Sequence, residues 1–241
     1  MERMSERQFN RWYRTHLEKY IPAYAFFSLL FCFGGGTLIY SVTQQLVEGR
    51  QLYDLTMDFD RMVPFVPAWV FVYVLSFPFW GVSYILAARE NSRDFWFRFV
   101  FSDLLARAIC AVIFVVFPTT NVRPECGTEG FWNQAMAFIY AVDPPLDLFP
   151  SIHCMVSLMC YLGIRKCEAI PRWYRTGTLV FACLVFASTQ FTKQHYIVDV
   201  FGGVILALAC FAAGQRTQWH RPLMGFFDRL NKRVFGEESD E

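Results

Sequence analysis

Two histidines and a carboxylate stand at the mouths of apolar segments in this chain, and their spacing sets the chemistry open to them. His153 lies in Pro150-Ser151-Ile152-His153, where an apolar run begins, and His195 lies in Lys193-Gln194-His195-Tyr196-Ile197-Val198-Asp199, between two more such runs. Ionisable groups at membrane depth cost free energy and are retained where function needs them. If the two segments face each other, they supply a nucleophile, a general acid and an orienting carboxylate.

Residues four apart on a helix sit one above the other, so Asp199 is expected to accept a hydrogen bond from one ring nitrogen of His195. That bond fixes the tautomer and raises the basicity of the other nitrogen, which can then attack phosphorus. A structural pair closing a helix entrance accounts for the same two residues. Ser151 is a good N-cap after a proline. The free amides of the following turn and the helix dipole favour an anion there, beside His153. A plain capped helix with a histidine at the interface fits equally well. Arg123 is the only arginine in the 33-residue connection Pro118–Pro150. An arginine fork grips phosphate through two parallel bonds, although a single solvated loop charge would look the same. Gly202-Gly203, just beyond Asp199, allow close helix packing.

The elements that must position these groups are membrane spans. The chain has 241 residues, 55% hydrophobic and 18% charged, with a formal net charge of +1. That is less charge than a soluble domain of this length carries, and such a balance gives no reason to expect nucleic acid as a partner. Ile21–Tyr40, Pro67–Ala88 and Phe95–Phe117 are long enough to cross a bilayer. Three shorter candidates, Ile152–Ile164, Thr176–Thr192 and Val198–Ala213, fit if their outer ends are sunk in a protein-lined cavity. Connections alternate between basic and neutral at every crossing, with seventeen Lys and Arg on one side and four on the other. By the positive-inside rule both termini are cytoplasmic and both histidine motifs open to the extracytoplasmic face. Trp12, Tyr20, Trp96, Trp173 and Trp219 flank the cytoplasmic ends as interfacial anchors.

The fold class expected is thus all-α, a polytopic six-transmembrane-helix bundle. A basic amphipathic segment spans 1–20, the membrane domain 21–214, and a cytoplasmic tail 215–241 with the acidic end Glu237–Glu241 solvated. Asp103 and Arg107, four apart inside the third span, form an intramembrane ion pair or line a proton path. The stretch Phe131–Val142 is too short to span; it lies on the interface or packs on neighbouring spans. The eight cysteines contain no CxxC pair and mostly fall in apolar runs, so they read as small core residues.

Arg123-Pro124, then Phe149-Pro150-Ser151-Ile152-His153, then Ser188 with His195-Tyr196-Ile197-Val198-Asp199 resembles the type 2 phosphatidic-acid phosphatase superfamily. The likeness covers about 95–214 and is greatest to the inositol phosphorylceramide synthase-like, or inositolphosphotransferase, branch. It implies a six-helix membrane enzyme that uses no metal or other cofactor and acts on a phospholipid or lipid phosphate within the bilayer. By that resemblance His195 is the nucleophile, Asp199 its orienter and His153 the acid for the leaving oxygen. Arg123, Ser151 and Ser188 are its phosphate-binding side.

The departures carry information. The superfamily's first motif opens with Lys six residues before Arg-Pro, where this chain has Val116; its third has Arg after Ser, where this chain has Thr189. Lys193, two residues from His195, is the candidate replacement for one of these cations. A phosphate monoester carries nearly two negative charges at neutral pH and a diester one. Close charge pairs in a partly buried site are worth on the order of a few kcal/mol each. A cation-poor site should therefore favour transfer of a phospho-headgroup between lipids over hydrolysis of a lipid phosphate. A phosphatase for phosphatidate or isoprenyl diphosphate remains a second reading. A metal held by His153, His195 and Asp199 is a third, and a non-catalytic lipid-binding membrane protein a fourth.

Overall fold

The computed structural model describes residues 6–235, without the side chains of Glu6 and Arg7, so the acidic end Glu237–Glu241 lies outside the described residues. The chain is a helical bundle with one parallel two-residue bridge, Tyr53–Asp54 (β1) to Thr119–Thr120 (β2). Its helices run in order α1 Glu6–His16, α2 Ala23–Val47, α3 Asp58–Met62, α4 Pro67–Arg89 and α5 Arg93–Val116. They continue with α6 Phe131–Val142, α7 Ile152–Ile164, α8 Arg172–Phe191, α9 Ile197–Arg216 and α10 His220–Phe235.

Among the described residues four helices, α2, α4, α5 and α9, are long and apolar enough to cross a membrane. Large apolar side chains stand exposed along them, among them Leu38, Leu46, Phe71, Val82, Val112, Phe201 and Ile205. A soluble monomer does not expose such an apolar belt, and together these helices mark an integral membrane protein.

Helix α7 has the bounds expected from its sequence, and its thirteen residues span about 20 Å. It is apolar on every side because it is the centre of the bundle, packed against α4, α5, α8 and α9. Several polar groups in this core are paired: Trp80 Nε1 donates to Ser157 Oγ (2.9 Å), and Tyr84 OH and Arg107 Nε both donate to Asp103 (2.7 Å each). The Asp103–Arg107 pair expected on one helical face is therefore present. Trp96 departs from its expected place as an interfacial anchor. It is 0% exposed and donates to Ser28 Oγ at 2.9 Å, whereas Trp173 is 74% exposed. A ring flanked by Phe95, Phe97 and Phe99 has enough apolar company to be drawn into the core.

Residues 215–235 are no loose tail. Helix α10 docks Phe227 into the core, and the Phe235 ring packs against Tyr13 of α1, tilted by 40°, with ring centroids 4.4 Å apart. The two ends of the described chain therefore meet at one end of the bundle. Helix α2 runs through a single five-residue π turn, Phe31–Gly35, a distortion common near functional sites. Helix α6 packs on the start of α4, with Tyr140 stacked on Phe65 (6.3 Å) and Trp132 against Phe71 (6.3 Å).

Candidate active site

His195 sits in the five-residue turn between α8 and α9, not on a helix. Gln194 N–H and His195 N–H both donate to Thr189 O (3.0 and 3.1 Å), and Gln190 Nε2 donates to His195 O (3.1 Å), so the ring's backbone is fixed from three sides. Helix α9 starts only at Ile197, which changes what Asp199 does. It stands in the first helical turn and its Oδ2 accepts the free N–H of Tyr196 at 2.9 Å, an end-of-helix donor that needs a partner. The same Oδ2 lies 3.5 Å from His195 Nδ1, within reach of a charge pair but not aligned as a hydrogen bond. The expected helical stacking of His195 over Asp199 is thus replaced by a capping arrangement that still sets carboxylate beside imidazole.

His153 arrives from the first turn of α7. Ser151 caps that turn, its Oγ accepting Cys154 N–H at 3.3 Å, after a cis Phe149–Pro150 peptide. Ser151 N–H in turn donates to Asp199 O at 3.0 Å, which ties the first turns of α7 and α9 together. Gly203 makes that contact possible: a Cβ there would collide with the carbonyl oxygen of Ser151 and press on Cys154 Cβ at 3.2 Å. The His153 ring stacks on Tyr73 (4.3 Å) and lies 5.8 Å from the His195 ring, centroid to centroid. His153 Nε2 and His195 Nδ1 are buried and find no hydrogen-bond partner among the described residues.

Arg123 reaches this pair through its neighbour. Its Nη2 donates to Gln194 Oε1 and its Nη1 to Asp143 O, both at 2.5 Å, and its guanidinium lies over the Tyr140 ring at 4.7 Å. Tyr140 OH donates to Thr192 O (2.6 Å) and Asn121 Nδ2 to Lys193 O (2.9 Å). The third connection is therefore clamped onto the turn that carries His195.

Two expected phosphate contacts do not join the group. Lys193 has φ +53° and aims its ammonium at Asp60 O and Val63 O, 2.6 Å each, away from the histidines. Burial lowers its pKa, with the nearby Asp60 charge opposing. Ser188 is fully buried and donates to Val185 O at 2.7 Å inside its own helix. Where the superfamily has its first cation this chain has Val116, 70% exposed at the end of α5. Among the described residues no group of three His, Cys, Asp or Glu side chains is arranged to hold a metal ion.

The histidines open on a cavity of about 430 Å³ between α2 and α4, roofed by α6 and the 143–148 loop. Tyr40, Tyr73, Phe77, Trp80, Asp143, Asp147 and Arg107 line it together with His153 and His195. Sequence reasoning had no signal for this wall, since no motif links α2 to either histidine. It also passed over Asp60, a buried carboxylate in the short helix α3. Asp60 accepts Met57 N–H (2.9 Å) through Oδ2 and Ile197 N–H (2.8 Å) through Oδ1, so it caps α3 and α9 at once.

An apolar helical bundle whose central helix presents one histidine beside another on a neighbouring turn defines a membrane-embedded histidine site. The sequence profile of the PAP2 superfamily matches residues 55–213, and the chain belongs to that superfamily. No curated protein and no solved structure matches the chain. Membership points to lipid phosphatase or phosphotransferase chemistry.

Proposed function

We propose that this protein is a six-span lipid phosphotransferase that moves a phospho-headgroup from one lipid to an alcohol acceptor at the extracytoplasmic face. The observation that carries the reading is the pair of imidazoles 5.8 Å apart at one cavity. His195 Nε2 attacks phosphorus and the bond from phosphorus to the lipid oxygen breaks. His153, protonated, gives its proton to that leaving oxygen, and the lipid alcohol departs. The acceptor hydroxyl then attacks the phosphohistidine; its proton passes to His153, the phosphorus–nitrogen bond breaks, and His195 is restored. Asp199 steadies the positive charge that His195 acquires, the amides after Ser151 face the phosphoryl oxygens, and Arg123 holds the His195 turn in place through Gln194.

Transfer is favoured over hydrolysis of a monoester because the site is poor in cations. The two motif positions hold Val116 and Thr189, and the ammonium of Lys193 is engaged by backbone carbonyls. With the Nη groups of Arg123 likewise held by Asp143 O and Gln194 Oε1, the site suits the single charge of a diester better than the near-double charge of a monoester. The test is to offer the purified protein phosphatidic acid and a headgroup-bearing phospholipid with a lipid alcohol acceptor. Headgroup transfer that vanishes in His195→Ala is expected. Much faster phosphate release from phosphatidic acid would make the protein a phosphatase.

A further inference from the structure

Beyond the histidines the cavity holds two carboxylates that no side-chain cation neutralises. Asp143 accepts hydrogen bonds from Tyr40 OH (2.7 Å) and Tyr73 OH (3.1 Å), and Asp147 Oδ2 accepts one from Thr43 Oγ1 (2.8 Å). Asp147 is 2% exposed, lines the cavity, and its Oδ1 has no hydrogen-bond partner among the described residues. Neither aspartate forms an ion pair within 4.0 Å among those residues. Arg107, the one cation in the wall, already has its Nε on Asp103, so that pair is neutral together. Arg123 stands behind Asp143 and spends its two Nη groups on the Asp143 carbonyl and Gln194.

A buried carboxylate with an empty acceptor costs free energy unless a ligand completes it. Hydroxyls could fill the acceptor but would leave the negative charge standing; a cation does both. Three aromatic rings, Tyr40, Phe77 and Trp80, line the same space among aliphatic residues such as Ile139, Val142 and Leu148. Such rings attract ammonium groups through their negative faces. Because Tyr73 both holds Asp143 and stacks on His153, this end of the cavity lies one aromatic ring away from the phosphoryl site.

We infer that Asp143 and Asp147, with the aromatic rings beside them, form a subsite for an amine or quaternary ammonium group on the phospho-headgroup. The inference rests on the phosphotransfer reading and narrows its substrate to a zwitterionic phosphodiester. The carboxylates supply the positive-charge selectivity and the histidines the phosphorus chemistry. Burial and the nearby Asp143 raise the Asp147 pKa, which a bound ammonium would relieve.

The test uses the full chain in lipid nanodiscs and donors that share one acyl composition but carry choline, ethanolamine, glycerol or inositol headgroups. The expected result is a kcat/KM about tenfold or more higher for the two ammonium headgroups, the size of one partly desolvated cation contact. In Asp147→Asn, which keeps the shape and the Thr43 contact, that ratio should fall about tenfold. A preference for glycerol or inositol, or an equal loss on all four headgroups in Asp147→Asn, overturns the subsite while leaving phosphotransfer intact. If no headgroup lipid turns over at all, the phosphotransfer reading fails. Tetramethylammonium binding, followed as a rise in Tm, then decides the subsite alone. A rise in the wild type that is lost in Asp147→Asn supports it, and no rise in the wild type sinks it.

Discussion

Gly203 of α9 lies directly against the carbonyl oxygen of Ser151, and this backbone contact holds the two histidine-bearing segments in register. The Ser151 N–H to Asp199 O bond, 3.0 Å, completes the joint. A Cβ at this point meets backbone first, the Ser151 carbonyl oxygen, which cannot swing aside as a flexible side chain would. Gly203→Ala is expected to cost about 1–3 kcal/mol of stability and to lower turnover far more than that loss explains. Thermal melting beside steady-state turnover separates the two; a variant with reduced Tm and full activity would show that the joint does not position the site.

His195→Ala is expected to abolish turnover. Asp199→Asn keeps the Tyr196 acceptor but loses the charge beside His195, and should cut kcat by about 10²-fold or more. Circular dichroism of Asp199→Asn checks that α9 still starts where it should. Full activity in a folded Asp199→Asn would remove the carboxylate from the chemistry.

The acid role of His153 is read from leaving groups. With a nitrophenyl diester, whose leaving oxygen needs no proton, His153→Ala should retain much more activity than with a natural lipid. Equal loss on both esters would mean that the ring acts some other way, such as by filling the space against Tyr73.

Burial, with Asp143 nearby, pushes the Asp147 carboxyl up to about 6, against the opposing Thr43 hydroxyl bond. The folded state then binds this proton more tightly than the unfolded chain, whose aspartates titrate near 4, so Asp147 lowers stability as pH rises from about 4 to about 6. Across that window the Tm of the wild type should fall relative to that of Asp147→Asn. Parallel curves would contradict the burial of an uncompensated carboxylate.

Lys193→Ala separates a structural cation from a phosphate ligand. Losing two charge-assisted bonds to Asp60 O and Val63 O should destabilise the 192–196 turn by about 1–3 kcal/mol. Its KM for a phosphate diester should move little at a temperature where the variant is folded. A large KM rise without loss of Tm would return Lys193 to the phosphate.

Much of the fold was legible because its signals are local. The N-cap Ser151, the apolar run Ile152–Ile164 and the Asp103–Arg107 spacing each act within one or two turns, and the structure has them as expected. The start of α9 was legible to within a residue, Val198 expected and Ile197 found, but its capping was not, because Asp60 in the distant helix α3 takes Ile197 N–H. His195 precedes that helix, so the pair assumed to stack on it is a capped turn instead. The cavity wall from α2 was illegible for a similar reason: Gly36 matters only because a Cβ there would strike Arg107 Nη1, a contact between separate helices. The single orphaned oxygen of Asp147 likewise exists only once the 143–148 loop is folded over the histidines.

The claim on which the account turns is that His195 carries the phosphoryl group between donor and acceptor. The protein should be incubated with a headgroup phospholipid and no acceptor, quenched in base, digested, and analysed by mass spectrometry. The account expects the His195 peptide to gain the mass of the whole phospho-headgroup, to lose it in acid as a phosphoramidate does, and to remain bare in His195→Ala. Turnover with that peptide unmodified, or with the label on another residue, would contradict it.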